Sequence, residues 1–464
     1  MSTFFFVPEE GALPLYEQIY RRMVEEIRTG RLAAGERAPS KRQLCAQLGV
    51  SLSTVETAYG MLVAEGYLQS QPRSGYRVCS LLPLDAPAAS VTQSSTPAPP
   101  PAAPALSDVF STAAVDTHIF PSSVWASLTR EALKDPELLQ RGDPQGDLPL
   151  REALCDFLQS CRGVRCRSEQ VVVGAGMEYL LSVLFQLFDP AVAVALEDPG
   201  YNAAYRTLEN LGRSAVPVPV DRQGMVPDAL AESGAGVAYV TPSHQFPTGA
   251  AMPAGRRTEL LRWAYAAPHR YLIEDDYDSE FRYASRPIPA MQGMDTGGRV
   301  VYTGTFSRTL APSIRAAYLI LPEALLDVYK ARFAHGASTV SRFEQQVLCR
   351  FLSSGQYGRH LRRAGSLYRA RCAALTAALK EAFPQGRVSG AGAGLHLLLT
   401  LPGRDESDLA VRAAAAAGYR VRTLGEYCRG ASPLPGSLVL GFAGLDVSAA
   451  PGAVADLARA FGGM

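Results

Sequence analysis

Residues 303–315 read TGTFSRTLAPSIR, and how this stretch is read decides the architecture of most of the chain. The apolar residues Val300, Val301 and Tyr302 run into it, threonine, glycine and serine break the run, and Arg308 and Arg315 follow seven positions apart. A short apolar run bounded by turn residues reads as a buried strand. Outward from it the same form recurs: QVVVGAG (170–176), AVALEDPG (193–200), GVAYVTPS (236–243) and RYLIEDDY (270–277) are apolar runs ending in polar or glycine-rich turns, with helical segments between them. That alternation predicts a mainly parallel sheet covered on both faces, with functional residues at the carboxyl ends of its strands. From about residue 345 a helix followed by GLHLLLTL (394–401) and SLVLGFAGL (437–445) predicts a smaller α+β unit.

The chain of 464 residues exceeds one ordinary core, and length alone predicts about two to four domains. With 47% apolar and 19% charged residues it is globular in composition, and no apolar run approaches the roughly eighteen residues that span a membrane. The opening MSTFFFVPEEG lacks the basic start and long apolar stretch of a secretory signal, so a cytoplasmic protein is expected. Eight cysteines show no paired metal spacing; Cys155, Cys161 and Cys166 read as small apolar fillers, and reduced thiols with no metal site are expected. A net charge of +1 leaves any nucleic-acid binding to a local surface.

The clearest break is residues 80–107, rich in Pro, Ala, Ser and Thr, which reads as a semi-extended linker between a head, 1–79, and a body, 108–464. In the head, Leu15, Ile19, Met23 and Ile27 fall at helical spacing and Gly30 stops that helix. SKRQLCAQLGV (40–50) opens on the capping residue Ser40 and ends at Gly49, and SLSTVETAYGMLVAEGYL (51–68) carries Val55, Tyr59 and Leu62 on one face. Two helices joined by a tight turn form a helix-turn-helix, with the helix from Ser51 as the one that enters the major groove. YLQSQPRSGYRV (67–78) follows as a two-stranded wing.

The head, APSKRQLCAQLGVSLSTVETAYGMLVAEGYLQSQPRSGYRV (38–78), resembles the winged helix-turn-helix of the GntR superfamily. The body, through GDPQGDLPLREALCDFLQSCRGV (142–164), TPSHQFPTGA (241–250), EDDYDSEFRY (274–283) and GTFSRTLAPSIR (304–315), resembles the fold-type I aminotransferases that use pyridoxal phosphate. Joined by a long linker, the two look like the MocR branch of GntR-type transcription regulators. The fold class implied is multidomain: a mainly α winged head and an α/β fold-type I body with a small α+β subdomain.

The resemblance implies roles for particular residues. Asp275 holds a pyridine nitrogen protonated and Tyr277 hydrogen-bonds the ring oxygen, although EDDYDSEF alone also reads as an acidic turn capping a helix. Glu274, Asp276 and Asp278 are expected at solvent or in caps. VVVGAGMEYL (171–180) runs from a strand through glycines into a helix, where the free N–H groups of Gly174, Ala175, Gly176 and Met177 receive a phosphate. The family often has a hydroxyl in this turn where this chain has Ala175, so one contact is expected to be missing. Thr305, Ser307 and Arg315 match the family's other phosphate contacts. Tyr201 sits where the family stacks an aromatic ring on the cofactor, or is a core tyrosine after a turn. Gln245 and Phe246 replace the asparagine that aminotransferases place beside the ring oxygen, with Pro247 and Gly249 as turn residues.

Arg308 stands where the family carries the lysine that forms a Schiff base. A guanidinium stays protonated and is not nucleophilic, so the resemblance implies pyridoxal phosphate held noncovalently and no catalytic residue. Lysine occurs only at Lys41, Lys134, Lys330 and Lys380, so arginine replaces lysine throughout. Val439 stands where the family usually has an arginine that clamps a substrate carboxylate, leaving Arg429, ten residues earlier, as the alternative clamp.

For DNA, Lys41, Arg42, Arg73 and Arg77 are the candidates for phosphates, Gly75 shapes the wing turn, and Ser51, Ser53, Thr54 and Thr57 are candidates for short contacts. The helix from Ser51 to Val63 contains Glu56 and no lysine or arginine, with Leu52 where the family often has arginine. The head carries nine basic and eight acidic residues, so modest nonspecific affinity is expected. The reading is a transcription regulator bound to double-stranded operator DNA. Its body senses a small-molecule effector or only dimerises, and the homodimer is head-to-tail. One alternative is a pyridoxal-phosphate-dependent enzyme of the aminotransferase family with an appended head, against which Arg308 and Val439 speak. The other is a structural module, against which Asp275, Tyr277, Ser307 and Arg315 speak.

Overall fold

A computed structural model describes residues 13–72, 74–80, 106–283 and 288–462; Arg73 and most of the 80–107 stretch lie outside the described residues. The chain divides into two compact units, Met1–Pro101 and Ala102–Met464.

The first unit holds α1 (Leu15–Arg28), α2 (Lys41–Leu48), α3 (Leu52–Ala64) and an antiparallel pair, β1 (Leu68–Gln71) and β2 (Gly75–Val78). Ile19, Met23, Leu44, Val55, Tyr59 and Leu62 are fully buried and form its core. Leu15, expected on the same face, is exposed because it opens α1 beyond that core. The Ser40 hydroxyl accepts from the Gln43 N–H while the Gln43 side chain accepts from the Ser40 N–H, which satisfies two orphan donors at the start of α2. Gly49 ends α2 at φ 65, a left-handed conformation that costs glycine nothing, and Ser51 caps α3 by accepting from the Thr54 N–H. These caps fix the helix-turn-helix.

The second unit begins with α4 (Ser122–Ala132) and α5 (Leu148–Arg162) and continues with β3 (Val171–Gly174), α6 (Met177–Gln186), β4 (Val194–Asp198), α7 (Asn202–Asn210), β5 (Ala215–Asp221), β6 (Gly224–Met225), α8 (Pro227–Glu232), β7 (Val237–Val240), α9 (Ala254–Tyr265), β8 (Tyr271–Asp275), β9 (Val300–Thr305) and β10 (Ala317–Ile320). After α10 (Glu323–Phe333), α11 (Arg342–Ser353) and α12 (Gln356–Ala382) come β11 (Arg387–Ser389), β12 (His396–Thr400), α13 (Glu406–Ala417), β13 (Arg422–Thr423), β14 (Ser437–Gly441) and α14 (Ala450–Ala460). Eight strands form one sheet in the order β3-β10-β9-β8-β7-β4-β5-β6, and four form an antiparallel sheet, β11-β12-β14-β13. In the large sheet β9, β8, β7, β4 and β5 run parallel. On β8, Tyr271 and Ile273 pack with Leu180 and Leu184 of α6, whereas Leu272 packs with Leu260 and Trp263 of α9, so both faces are covered.

β10 runs antiparallel to β9 and β3, which the alternation of strands and helices did not indicate. The segment from 306 to 316 contains no helix to carry the chain back across the sheet, and a parallel neighbour needs such a crossover. β5 was also unforeseen. Pro217 and Pro219 argue against a strand, but its outer side is paired only at Val220 and Asp221, an edge position where missing N–H groups are tolerated.

β4, β8 and β9 end at Asp198, Asp275 and Thr305, on the edge where ligands bind in open α/β sheets. Residues 108–113 reach that edge by docking on β14, where the Gly441 N–H donates to the Phe110 carbonyl at 2.9 Å. A Cβ on Gly441 would lie 2.1 Å from the Ser111 carbonyl oxygen, so close approach requires glycine. Gly441→Ala is expected to displace this segment and destabilise the body by about 1–3 kcal/mol, read as a lower melting temperature. An unchanged melting curve would contradict the docking.

Candidate functional site

A cavity of about 350 Å³ opens at the carboxyl ends of β8 and β9. Asp275, the last residue of β8, is buried in it, accepts from the Thr303 hydroxyl at 3.1 Å and accepts from the Tyr239 phenol. Burial pushes its carboxyl up to about 6, although both hydroxyl donors pull the other way. Tyr277 also lines the cavity, and its phenol donates to the His244 carbonyl at 2.9 Å. Asp275 and Tyr277 are thus brought together as expected from their spacing.

Gly174 ends β3, and Gly176, at φ 92, caps α6. A Cβ on Gly176 would lie 2.7 Å from the Arg315 guanidinium, so the glycine lets that side chain lie over the turn. Met177 and Glu178 then open α6, whose first N–H groups have no carbonyl one turn earlier. The Ala175 N–H is occupied, donating to the Thr339 hydroxyl at 3.0 Å. Thr339, between α10 and α11, thus supplies a hydroxyl to this turn from far along the sequence, where no local motif marks it. Arg315 pairs with Glu178 at 3.0 Å, both half exposed. Thr305 accepts from the Ser307 N–H at 3.1 Å, and the Ser307 hydroxyl donates to the Ile314 carbonyl at 2.8 Å. Thr305, Ser307, Arg315 and Met177 all line the cavity.

Arg308 enters the same cavity, half-buried, and donates to the Thr112 carbonyl. Tyr201 lines it from the start of α7 and meets Phe246 edge-on at 6.2 Å between ring centres. Val439 is fully buried in an apolar cluster with Leu398, Leu424 and Tyr427, against which Phe246 packs. Arg429 is not brought to the cavity lining: its guanidinium stacks on Tyr205 at 4.3 Å, and its N–H donates to Asp198.

The expectation that Glu274, Asp276 and Asp278 face solvent is corrected, since all three are buried. Glu274 accepts from the Met291 and Gln292 N–H groups, each at 2.8 Å. Asp276 pairs with buried Arg162 at 2.8 Å, and Asp278 lies 3.1 Å from the His244 ring. The acidic string follows a central strand into the interior, and its partners come from distant segments, so local sequence did not reveal it. Gln245 is likewise internal, its amide donating to the Pro199 and Phe246 carbonyls and its oxygen accepting from the Thr248 N–H. Beside it burial pushes Glu197 up to about 7, against the Thr241 and Gln245 donors.

Among the described residues, His244, Asp278 and His396 could bring three metal-ligating atoms within 4.8 Å of one another. His244 is already paired with Asp278, and His396 donates from Nε2 to the Pro247 carbonyl at 3.1 Å. Burial, then the His244 ring and then the Arg308 charge push His396 well below the ordinary imidazole range. One further reading of a single residue changes. Cys161 is exposed at the end of α5, not a filler, whereas the Cys155 and Cys166 sulfurs approach to 3.4 Å.

In the head, Lys41 pairs with Glu56 at 3.1 Å and lies 5.5 Å from the Tyr76 ring centre, so its charge is partly engaged. Arg42 is exposed and makes no ion pair among the described residues. The Ser51 hydroxyl is bonded to those of Ser53 and Thr54, and the Thr57 hydroxyl donates to the Ser53 carbonyl at 3.0 Å. Gly75 takes φ 88 in the wing, while Arg77 donates to the Gly35 carbonyl and to Gln71, which ties it to the fold. Among the described residues no helix is long and apolar enough to cross a membrane.

A winged helix-turn-helix on an aminotransferase-type body defines a class of transcription regulator. Residues 15–78 match the model of bacterial regulatory proteins of the gntR family, and residues 84–444 match aminotransferase class I and II. The chain belongs to the GntR-family, MocR-type regulators with an aminotransferase-like domain. It is 33% identical to the probable rhizopine catabolism regulatory protein MocR of Rhizobium meliloti, over 97% of this chain and 94% of that protein. It is 35% identical to the pyridoxine biosynthesis transcriptional regulator PdxR of Corynebacterium glutamicum, over 93% and 92% of the two chains. Among solved structures it resembles LysN, the α-aminoadipate aminotransferase of Thermus thermophilus, with TM-score 0.67 and 25% identity over 77% of this chain and 92% of that one.

Because the folded state holds the Asp275 proton up to about pH 6 and the unfolded chain only to about 3.8, the stability this carboxyl contributes is lost as pH rises between them. Asp275→Asn is therefore expected to stabilise the ligand-free protein at about pH 7.5, by on the order of 1–3 kcal/mol, and not at about pH 4. Thermal melts of the two proteins at both pH values check this; a gain of equal size at both would show that the carboxyl is not strained.

Proposed function

We propose that this chain is a cytoplasmic, DNA-binding transcription regulator whose body holds pyridoxal phosphate or a related phosphorylated ring reversibly and catalyses no transamination. Residues 1–79 form the DNA-binding head, 80–107 a linker and 108–464 the ligand-binding and dimerisation body. The residues fit the cofactor in two places. The glycine turn under Arg315, with Thr305 and Ser307, suits a phosphate, and a buried carboxyl at Asp275 suits a protonated pyridine nitrogen. When bound, pyridoxal phosphate supplies an aldehyde on an electron-withdrawing ring.

The observation that carries the reading is Arg308 inside the cavity; on the motif resemblance it stands where the enzymes of this fold carry the lysine that bonds the aldehyde. A guanidinium does not attack a carbonyl, and Val439, which on the resemblance stands where the family clamps an amino-acid carboxylate, is buried in an apolar cluster and offers no donor. Wild-type protein mixed with pyridoxal phosphate is expected to bind it in equilibrium dialysis and to yield no adduct after borohydride treatment, whereas Arg308→Lys is expected to yield one. A borohydride-stable adduct at the wild-type site would overturn the noncovalent reading.

The head is proposed to meet duplex DNA through Arg42 and the wing, with Thr54 and the neighbouring hydroxyls nearer the base edges. Arg42→Ala is expected to weaken specific and nonspecific duplexes about equally and to lower the slope of log K against log salt by about one. Fluorescence anisotropy across a salt series measures both, and an unchanged slope would remove Arg42 from the phosphate contacts. We propose a head-to-tail homodimer, which light scattering at micromolar concentration tests.

A further inference from the structure

Outside the cavity lining, three polar side chains from separate segments are buried against one another. His244 lies in the segment after β7, Asp278 follows β8, and His396 opens β12 of the small sheet. Each is at most 1% exposed, and none lines the cavity. Among the described residues they are the one group of three that sets a ring nitrogen or a carboxylate oxygen of each within 4.8 Å of the others. Gly394 lets the chain leading to His396 come this close: a Cβ there would lie 2.1 Å from His244 Nδ1 and 2.3 Å from Asp278 Oδ2.

His244 Nδ1 and Asp278 Oδ2 stand 3.1 Å apart, joined by one proton. Neighbouring ligands of a tetrahedral zinc ion, with bonds of about 2.0–2.2 Å, stand roughly 3.3–3.6 Å apart, so an ion can replace that proton with little movement. His396 donates from Nε2 to the Pro247 carbonyl at 3.1 Å, the kind of outer bond that orients an imidazole and leaves its other nitrogen to a metal. That nitrogen, Nδ1, is buried without a hydrogen-bond partner among the described residues, and so is Asp278 Oδ1. His244 Nε2 is also unpartnered, and the displaced proton can move there. Burial, the His244 ring and the Arg308 charge keep His396 unprotonated, as ligation requires, while Asp278 supplies negative charge against the repulsion of a cation by Arg308.

We infer that His244, Asp278 and His396 form a site for one divalent transition ion of the zinc type, held by a ring nitrogen of each histidine and a carboxylate oxygen of Asp278. Two imidazoles and a carboxylate suit zinc, whereas magnesium and calcium take oxygen ligands. The role is structural, because the three ligands are closed from solvent and come from both sheets. The ion ties the start of β12 to the segments after β7 and β8. It stands next to two residues of the cavity wall: the Tyr277 phenol is 3.2 Å from His244 Nδ1, and the Phe246 ring centre is 5.3 Å from that of His396. The site stands whether or not the cavity takes a phosphorylated ring.

Full-length protein expressed with zinc sulfate in the medium and passed over a chelating resin tests this by elemental mass spectrometry. About one zinc per chain is expected in the wild type, and at least about tenfold less in His396→Gln and in Asp278→Asn. Both variants keep a hydrogen-bonding amide at the altered position, and circular dichroism shows whether they are folded. X-ray absorption at the zinc edge counts the ligands of the wild type without any variant: two imidazoles, further oxygen neighbours and no sulfur are expected. A wild type that retains no zinc overturns the inference, and water then meets the unpartnered atoms. Zinc kept in full by a folded His396→Gln or Asp278→Asn variant also overturns it, as does a sulfur shell, because the ion then sits elsewhere, on cysteines in the second case. If neither variant folds, the ligand count decides, and fewer than two imidazoles overturns the site.

Discussion

The Arg162 guanidinium, almost wholly buried at the end of α5, ties together the segments that build the cavity. It pairs with Asp276 at 2.8 Å, donates to the Ser243 hydroxyl at 2.8 Å and donates to the Ile288 carbonyl at 2.6 Å. Tyr302 of β9 donates to the same Asp276 carboxylate at 2.5 Å. One cation therefore joins a helix end, the segment after β7, the end of β8 and the interior of β9. Such a pair adds little net stability, because desolvating two charges offsets their attraction. Removing one partner nevertheless costs about 3–5 kcal/mol, since the other is left buried and alone. Its consequence is positional. Asp275 and Tyr277 flank Asp276 in the chain, so fixing Asp276 fixes the strand end from which both reach the cavity.

That network also marks where the sequence was legible. The strands at 171–174, 194–198, 237–240, 271–275 and 300–305 could be read because each is a short apolar run with a polar exit, and α2 and α3 because Ser40, Gly49 and Ser51 punctuate them locally. The cavity residues with a local pattern were legible too, among them Asp275, Tyr277, Ser307, Arg308 and Arg315. What depends on distant partners was not. Glu274, Asp276 and Asp278 look like a solvated or capping turn until Arg162, His244, Met291 and Gln292 are brought to them. His396 and Thr339 lie far along the chain from the residues they meet, so spacing held no sign of either.

The head illustrates the same division. Its fold is written in caps and apolar spacing, but its electrostatics are set by pairs the sequence does not display. Lys41 and Glu56 stand fifteen residues apart and meet across α2 and α3, which lowers the free positive charge on a surface already short of it. Arg77 is drawn back to Gly35 and Gln71, leaving exposed Arg42 with the least committed charge of the candidates within the described residues. A head with nine basic and eight acidic residues would gain little from counterion release on a duplex.

A guanidinium at position 308 changes where binding energy in the body comes from. A covalent bond to lysine makes release slow and occupancy nearly independent of free ligand, whereas noncovalent contacts make occupancy follow concentration by mass action. Without that bond, the ligand has to be distinguished by the contacts themselves. In the proposed complex the glycine turn under Arg315 would take any phosphate and the Asp275 carboxyl any protonated ring nitrogen, so neither would separate one phosphorylated pyridine from another. Discrimination falls to the remaining charge. In that proposed complex the Arg308 charge would favour an anionic group over an ammonium at one point of the cavity. Since Thr112 anchors that guanidinium and Gly441 anchors the segment carrying Thr112, the small sheet, through β14, sets where in the cavity the selective charge stands.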